Sequence, residues 1–338
     1  MLDLKKNISF AIGIIALVFF SYASYGQVQS SKDSSINFLL DSTGKTKIIL
    51  LGTGTPGPSP ANSGPCVAIV VNNTPYLVDL GPGVVRRAMA AYEKGIGALH
   101  ASRLKTAFIT HLHSDHTLGY PDFIFTPWVV GRTGPLNVFG PPGLKEMTNH
   151  IYKAWQEDID IRESGMEKDF FHHVENGYLV SVHEIKPGII YQDSNIRVKA
   201  FLIKHGQWKE AYGYRFETGT ATIVVSGDTS PSEALIENSK GCDVLIHEVY
   251  TEKAQQLSDS SWQKYRLKYH TSTKQLAAIA EKAQPRLLVL IHQNYGVTQD
   301  PKNKNILLRL STEKDLIEEM RKYYRGLFVS GHDLDIIN

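Results

Sequence analysis

The chain has 338 residues, 42% of them hydrophobic and 21% charged, with 36 Lys+Arg against 34 Asp+Glu. That mixture excludes a disordered polyelectrolyte, and a net charge of +2 leaves no basic footprint for a polyanionic partner. Two cysteines, Cys66 and Cys242, exclude a disulfide-stapled fold and a cysteine-rich zinc cluster, whereas 13 histidines are an excess that asks for an explanation.

Residues 1–26 read as a secretory signal: a short basic start, an apolar run from Ile8 to Phe20, and a small-residue exit with cleavage near Gly26 and Gln27. The run is shorter than the roughly 20 residues that span a bilayer. An uncleaved anchor is the alternative, and either form places the folded part outside the cytoplasm, periplasmic or secreted. Residues 27–45 are polar and serine-rich, a flexible lead-in to a hydrolase domain over 46–338.

Lys47–Leu51 predicts a strand, followed by a loop dense in glycine and proline. The apolar runs Cys66–Val71 and Tyr76–Asp79, joined by Asn72-Asn73-Thr74, predict a hairpin. Val84–Lys94 has helical periodicity, and Thr106–Thr110 predicts a short strand. The stretch from about 121 to 195 is less regular, its clearest element a helix from about Gly143 to Arg162. Strands then resume at Ile196–Ile203, Tyr212–Glu217, Ala221–Ser226 and Val244–His247. A helix (Thr273–Ala283), a strand (Leu287–His292), a helix (Glu313–Tyr324) and a strand (Leu327–Ser330) complete the chain. Paired strand-rich blocks, each followed by helices, predict two sheets face to face with helices outside. Cys66 and Cys242 flank apolar runs and are expected as buried free thiols.

The loop after Thr106–Thr110 reads His111-Leu112-His113-Ser114-Asp115-His116. Three imidazoles and a carboxylate in six residues, at the end of a buried strand, suit a borderline-soft divalent metal, zinc first. His111 and His113 can serve one metal while Asp115 and His116 turn toward a second. Three more candidates end apolar strands: His205, Asp228 and His292.

The string Thr110-His111-Leu112-His113-Ser114-Asp115-His116 resembles the signature of the metallo-β-lactamase-fold hydrolases, and the chain is most similar to their ribonuclease Z-like branch. The matching pieces continue with Leu51-Gly52-Thr53-Gly54-Thr55-Pro56, His205 followed by Gly213-Tyr214-Arg215, and Ser226-Gly227-Asp228-Thr229. His247-Glu248-Val249, His270-Thr271-Ser272-Thr273 and Leu290-Ile291-His292 complete the set. The resemblance implies an α/β fold, a single-domain four-layer αββα sandwich, with a dinuclear zinc site at one edge of the sheets; manganese or iron would also suit the donors. It implies His111, His113 and His205 on the first metal, Asp115, His116 and His292 on the second, and Asp228 bridging. A hydroxide between the metals would attack the ester, with Asp115 both ligating and orienting it. His270 matches the family's general acid, with Glu248 holding its imidazole charged. The same segment also reads as a helix start, Ser272 capping Gln275. His247 is expected to be structural or to touch a ligand from outside. The remaining histidines, His100, His150, His172, His173, His183 and His332, match no ligand motif.

His113 stands where the flavo-diiron branch has Glu, and Lys204-His205-Gly206-Gln207-Trp208 lacks the Pro-Gly-His turn of the glyoxalase-like and lactonase-like branches. The tRNA-processing enzymes carry a gripping arm in the interval that here separates His205 from Asp228, which is too short for one. The extra length instead lies between His116 and His205, where Phe123, Phe125, Trp128, Tyr152 and Trp155 are expected to form a lid-like insertion at about 121–195, or to pack peripherally. Lys204, Lys209 and Arg132 are the cationic candidates for meeting a charged substrate, with a solvated position the expected reading for each. The expected function is an exported dizinc hydrolase of a small anionic ester, most closely a phosphodiester. An aryl or alkyl sulfatase is the alternative; a tRNA 3′ endonuclease and a non-catalytic scaffold follow behind. The resemblance also implies a homodimer.

Overall fold

The computed structural model describes residues 35–36, 38–167 and 176–338; the signal segment with its cleavage site, and His172 and His173, lie outside the described residues. The strands that read as unbroken apolar runs are buried on both faces. In Cys66–Val71, Val67, Ile69 and Val71 point between the sheets, while Cys66, Ala68 and Val70 point into the layer beneath the outer helices. Val244–Tyr250 repeats the division, with Val244 and Ile246 between the sheets and Leu245 and Val249 on the helix side. Period-2 alternation therefore feeds two apolar layers at once.

One sheet has eight strands, in the order Ser35–Ile36, Ile336–Ile337, Thr46–Gly52, Cys66–Val71, Thr74–Val78, Thr106–Phe108, Leu136–Gly140, Val180–Glu184. The other has seven, in the order Phe328–Ser330, Leu287–Asn294, Val244–Tyr250, Thr222–Val225, Tyr212–Thr218, Ile196–Leu202, Gly188–Gln192. The hairpin at Asn72 and Asn73 forms as predicted, both residues at positive φ (48° and 63°) as a two-residue twisted turn requires. Helices Val84–Glu93, Tyr120–Val129 and Leu144–Ala154 cover the first sheet; Glu233–Ser239, Thr273–Ala283 and Glu313–Tyr323 cover the second. This is the expected αββα sandwich. Cys66 and Cys242 are both free and buried, in its two opposite outer layers.

Four expectations change. Residues 121–195 do not build a lid in their described part: Leu136–Gly140 and Val180–Glu184 finish the first sheet and Gly188–Gln192 the second. Phe123 and Trp128 are fully buried beneath the first sheet, because a helix this apolar has nowhere else to hide its rings. The single helix expected over Gly143–Arg162 is two, Leu144–Ala154 and Gln156–Ser164, since Trp155 leaves helical geometry and lays its ring 5.6 Å from Phe125. The lead-in is ordered earlier than residue 46: Ser35–Ile36 pairs with Ile336–Ile337, Leu40 is buried, and Asp41 accepts hydrogen bonds from the amides of Thr43 and Thr46. Arg132 is neither solvated nor free for substrate; its guanidinium is fully buried and donates to the carbonyls of Phe123, Ile124 and Gly177.

Candidate metal centre

Strand ends deliver the site. Thr106–Phe108 runs out into His111, and the short helix Ser114–Thr117 turns Asp115 and His116 back toward it. Gly227, at φ 62°, leads into Asp228; a Cβ there would lie 3.0 Å from the Thr110 side chain and from the Tyr212 carbonyl, so the approach needs glycine. His292 sits where the pairing of Leu287–Asn294 with Val244–Tyr250 slips by one residue, and it takes φ 45°. That bulge re-aims its ring.

The donors converge in two groups. His111, His113 and His205 bring one nitrogen each within 4.8 Å of one another, and Asp115, His116, Asp228 and His292 do the same with theirs. His111 Nε2 and His205 Nε2 lie 3.0 and 3.1 Å from His113 Nδ1. Asp228 reaches both groups, since its carboxylate is also within 4.8 Å of His205 and His270 donors.

Hydrogen bonds behind the rings set which nitrogen faces inward. His205 Nδ1 meets the Tyr269 carbonyl at 2.9 Å, His111 Nδ1 the Thr110 hydroxyl at 3.0 Å, and His116 Nδ1 the Asp79 carboxylate at 2.8 Å. Each contact uses Nδ1–H and turns Nε2 toward the cluster. Among the described residues the buried His116 Nε2 has no hydrogen-bond partner; it stands 3.5 Å from both Asp115 and Asp228. A ring nitrogen left without a partner between two carboxylates marks a place for a cation, a proton or a metal ion.

Two contributors escaped the sequence reading. Asp79 is buried at φ 62° and also accepts from the Thr110 amide and hydroxyl, tying His116 to the strand that carries His111. The signal was present, since Asp79 ends an apolar strand before Gly81-Pro82-Gly83 much as Asp228 follows its own. Trp208 sends its indole N–H to His113 Nε2 at 2.8 Å, leaving Nδ1 to face the cluster.

Electrostatics divide the groups. Burial holds His111 well below the usual imidazole range and pushes His205 down to about 4, so both are neutral and free to donate. Burial also opposes charge on His116, yet Asp228 and Asp79 outweigh it and hold that ring well above the usual range. Burial would raise Asp115 and Asp228, but His292 and His116 keep both carboxyls below the usual carboxylate range. Two buried carboxylates whose ion-pair partners among the described residues are all histidines call for positive charge.

His270 adjoins both groups. Its Nδ1 lies 3.2 Å from Glu248 Oε1, which also accepts from the amides of Thr229 and Thr271. Burial disfavours its charge, but Glu248 overcomes that and His270 is held above the usual range. The helix start is equally real: Ser272 and Gln275 form a reciprocal cap. His247 points away into the outer layer, its Nδ1 2.6 Å from the Glu248 carbonyl, and touches none of the clustered donors. The glycine loop is pinned by Asp333, which accepts from the amides of Thr53 and Ser63; a Cβ on Gly52 would strike the Gly64 carbonyl. Its role here is close packing of loops. His332 is a surface residue paired with Glu313.

The model of the Beta-lactamase superfamily domain matches residues 74–293. A ribonuclease Z of Mycobacterium bovis is 32% identical over 251 residues, covering 73% of this chain and 85% of the relative. The chain belongs to the metallo-β-lactamase superfamily, in its ribonuclease Z-like branch. It is thus a member of a metal-dependent hydrolase family. Among solved structures, the metallo-β-lactamase fold protein YhfI of Bacillus subtilis aligns with TM-score 0.62 and 16% identity over 86% of this chain and 98% of that one. The short form of human tRNase Z aligns with TM-score 0.60 and 21% identity over 86% and 98%. At such identities the structures speak for the fold. The chain's charge carries no nucleic-acid signal, but its kinship does, since the Mycobacterium relative bears a ribonuclease name.

Proposed function

We propose that the protein is an exported dinuclear zinc hydrolase of small phosphodiesters. The observation that carries this reading is the convergence of seven buried or half-buried donors in two groups sharing Asp228, with the Glu248–His270 pair beside them. His111, His113 and His205 would hold one ion, Asp115, His116 and His292 the other, and Asp228 both. When bound, two zinc ions supply positive charge against the ester's oxygens and acidify water. Asp115 would orient the attacking water, which gives up a proton to solvent as its oxygen bonds to phosphorus and the bond to the leaving oxygen breaks. His270, charged through Glu248, gives its proton to that leaving oxygen.

One feature supports a small substrate and another supports export. The interval between His205 and Asp228 is filled by the hairpin of Tyr212–Thr218 with Thr222–Val225, leaving no room there for an RNA-gripping arm. The apolar run Ile8–Phe20 supports export, and no helix among the described residues is long and apolar enough to cross a membrane. The kinship favours a second reading, the phosphodiester of an RNA. Both are tested by kcat/KM of the zinc-loaded protein on bis-p-nitrophenyl phosphate, a precursor tRNA and p-nitrophenyl sulfate, with Asp228→Asn as blank. Preference for the small diester is expected; preference for RNA selects the second reading, and preference for the sulfate replaces both with a sulfatase.

A further inference from the structure

The helix Ser260–Tyr269 runs directly into His270 and carries Trp262, Tyr265 and Tyr269 at i, i+3 and i+7, on one face. Tyr269 is wedged in place. Its ring stands edge-on to His205 at 5.1 Å and covers Gly206, where a Cβ would lie 1.9 Å from the ring. Tyr265 stacks on Tyr269 with centroids 4.4 Å apart and 15° between planes, and its ring lies 5.7 Å from that of His270. Trp262 meets Tyr265 edge-on at 5.5 Å.

This array is built but not closed. Tyr265 is 37% exposed and Trp262 48% exposed, although one face of Tyr265 is already taken by Tyr269. Among the described residues no hydrogen-bond partner meets the Tyr265 hydroxyl. Burial, followed by the charges of Asp228 and Asp115, pushes that phenol up, which places it within the electrostatic reach of the metal centre. An exposed ring, braced from behind and set beside the group that faces the leaving oxygen, has the layout of a stacking surface.

We propose that Tyr265, braced by Tyr269, is the stacking platform for a planar aromatic ring carried by the ester oxygen that faces His270. This rests on the hydrolase reading above and narrows its substrates to esters of aromatic alcohols or nucleosides. Tyr265 is a positioning residue: it aligns the leaving oxygen with His270 by holding the ring attached to it. One such stack contributes about tenfold in affinity.

The test is calorimetric titration of the zinc-loaded full chain with phenyl phosphate, methyl phosphate, adenosine 5′-monophosphate and ribose 5-phosphate. The two ring-bearing esters are expected to bind about tenfold more tightly than their ring-free counterparts. Tyr265→Leu should erase that ratio and Tyr265→Phe should keep it. A ratio for adenosine 5′-monophosphate alone assigns the platform to nucleoside esters, and one for phenyl phosphate alone to aryl esters. Equal binding by wild type, a ratio that survives Tyr265→Leu, or a ratio lost in Tyr265→Phe overturns the proposal. Binding needs no turnover, so a wild type that keeps the ratio but cleaves no phosphodiester defeats the activity reading and leaves the platform standing.

Discussion

His111 and His205 are kept neutral by burial, and with His113 they form a cluster that carries no formal charge of its own. Asp115, His116, Asp228 and His292 sit beside them as a knot of opposite charges, in which His116 is held charged and both carboxylates stay ionised. The first group is therefore ready to donate lone pairs, while the second already contains a proton where a cation would sit. Two adjacent groups, where strand ends of the two sheets meet, differ because desolvation decides the first and carboxylate pairing decides the second.

The largest break in that comparison is at the residue both halves share. Asp228→Asn is expected to lower bound metal, read by elemental analysis, and to cut turnover by roughly 10³-fold or more, as losing a member of a catalytic unit does. A fully active variant would remove Asp228 from its shared position. His270→Ala should leave both halves intact, with full metal content, and lose rate by about 10²–10⁴ with poor leaving groups. An equal loss on activated aryl leaving groups would count against proton donation.

Asp79→Asn separates the halves. Asn tolerates the positive φ at this position, so the backbone is spared while the charge behind His116 is lost. Metal affinity of the carboxylate half should fall by about 10–100-fold and that of the imidazole half should hold, read by competition with a chelator. Uniform weakening of both would deny Asp79 a local role. The smallest effect concerns protons. An imidazole pushed below its usual range is neutral at pH 7 and loses no proton to an incoming metal; one held above it is charged and must. Zinc loading of the carboxylate half should thus release about one proton at pH 7 and loading of the imidazole half none, read by titration in buffers of different ionisation enthalpy. Release that is equal at both steps would erase the distinction.

Much of this site is legible in one dimension because its donors end buried strands. An apolar run that stops at His205 or that leads, one glycine later, to Asp228 advertises both its own burial and the polar residue held at its edge. Asp79 follows the same rule, a carboxylate held at the edge of the buried strand Thr74–Val78. The helix Ser260–Tyr269 is hard to read for another reason: its aromatic stripe is set among charged residues and stays partly exposed, so it lacks the pattern of a core-facing helix. The buried Arg132 shows the reverse error, a cation taken as solvated whose hydrogen-bond partners lie far apart in sequence.

Sequence alone pointed to the double-faced strands, the outer helices and the histidines and carboxylates that cluster, because burial on both faces and strand ends that close on polar residues each demand particular residue types. Tertiary structure decided which donors share a group, which ring nitrogen each presents, and that Tyr265 and Tyr269 stand beside His270. Those depend on where strand ends meet, on a one-residue slip at His292 and on contacts such as Tyr269 against Gly206. Distances between residues remote along the chain are set by packing, and no local pattern encodes them.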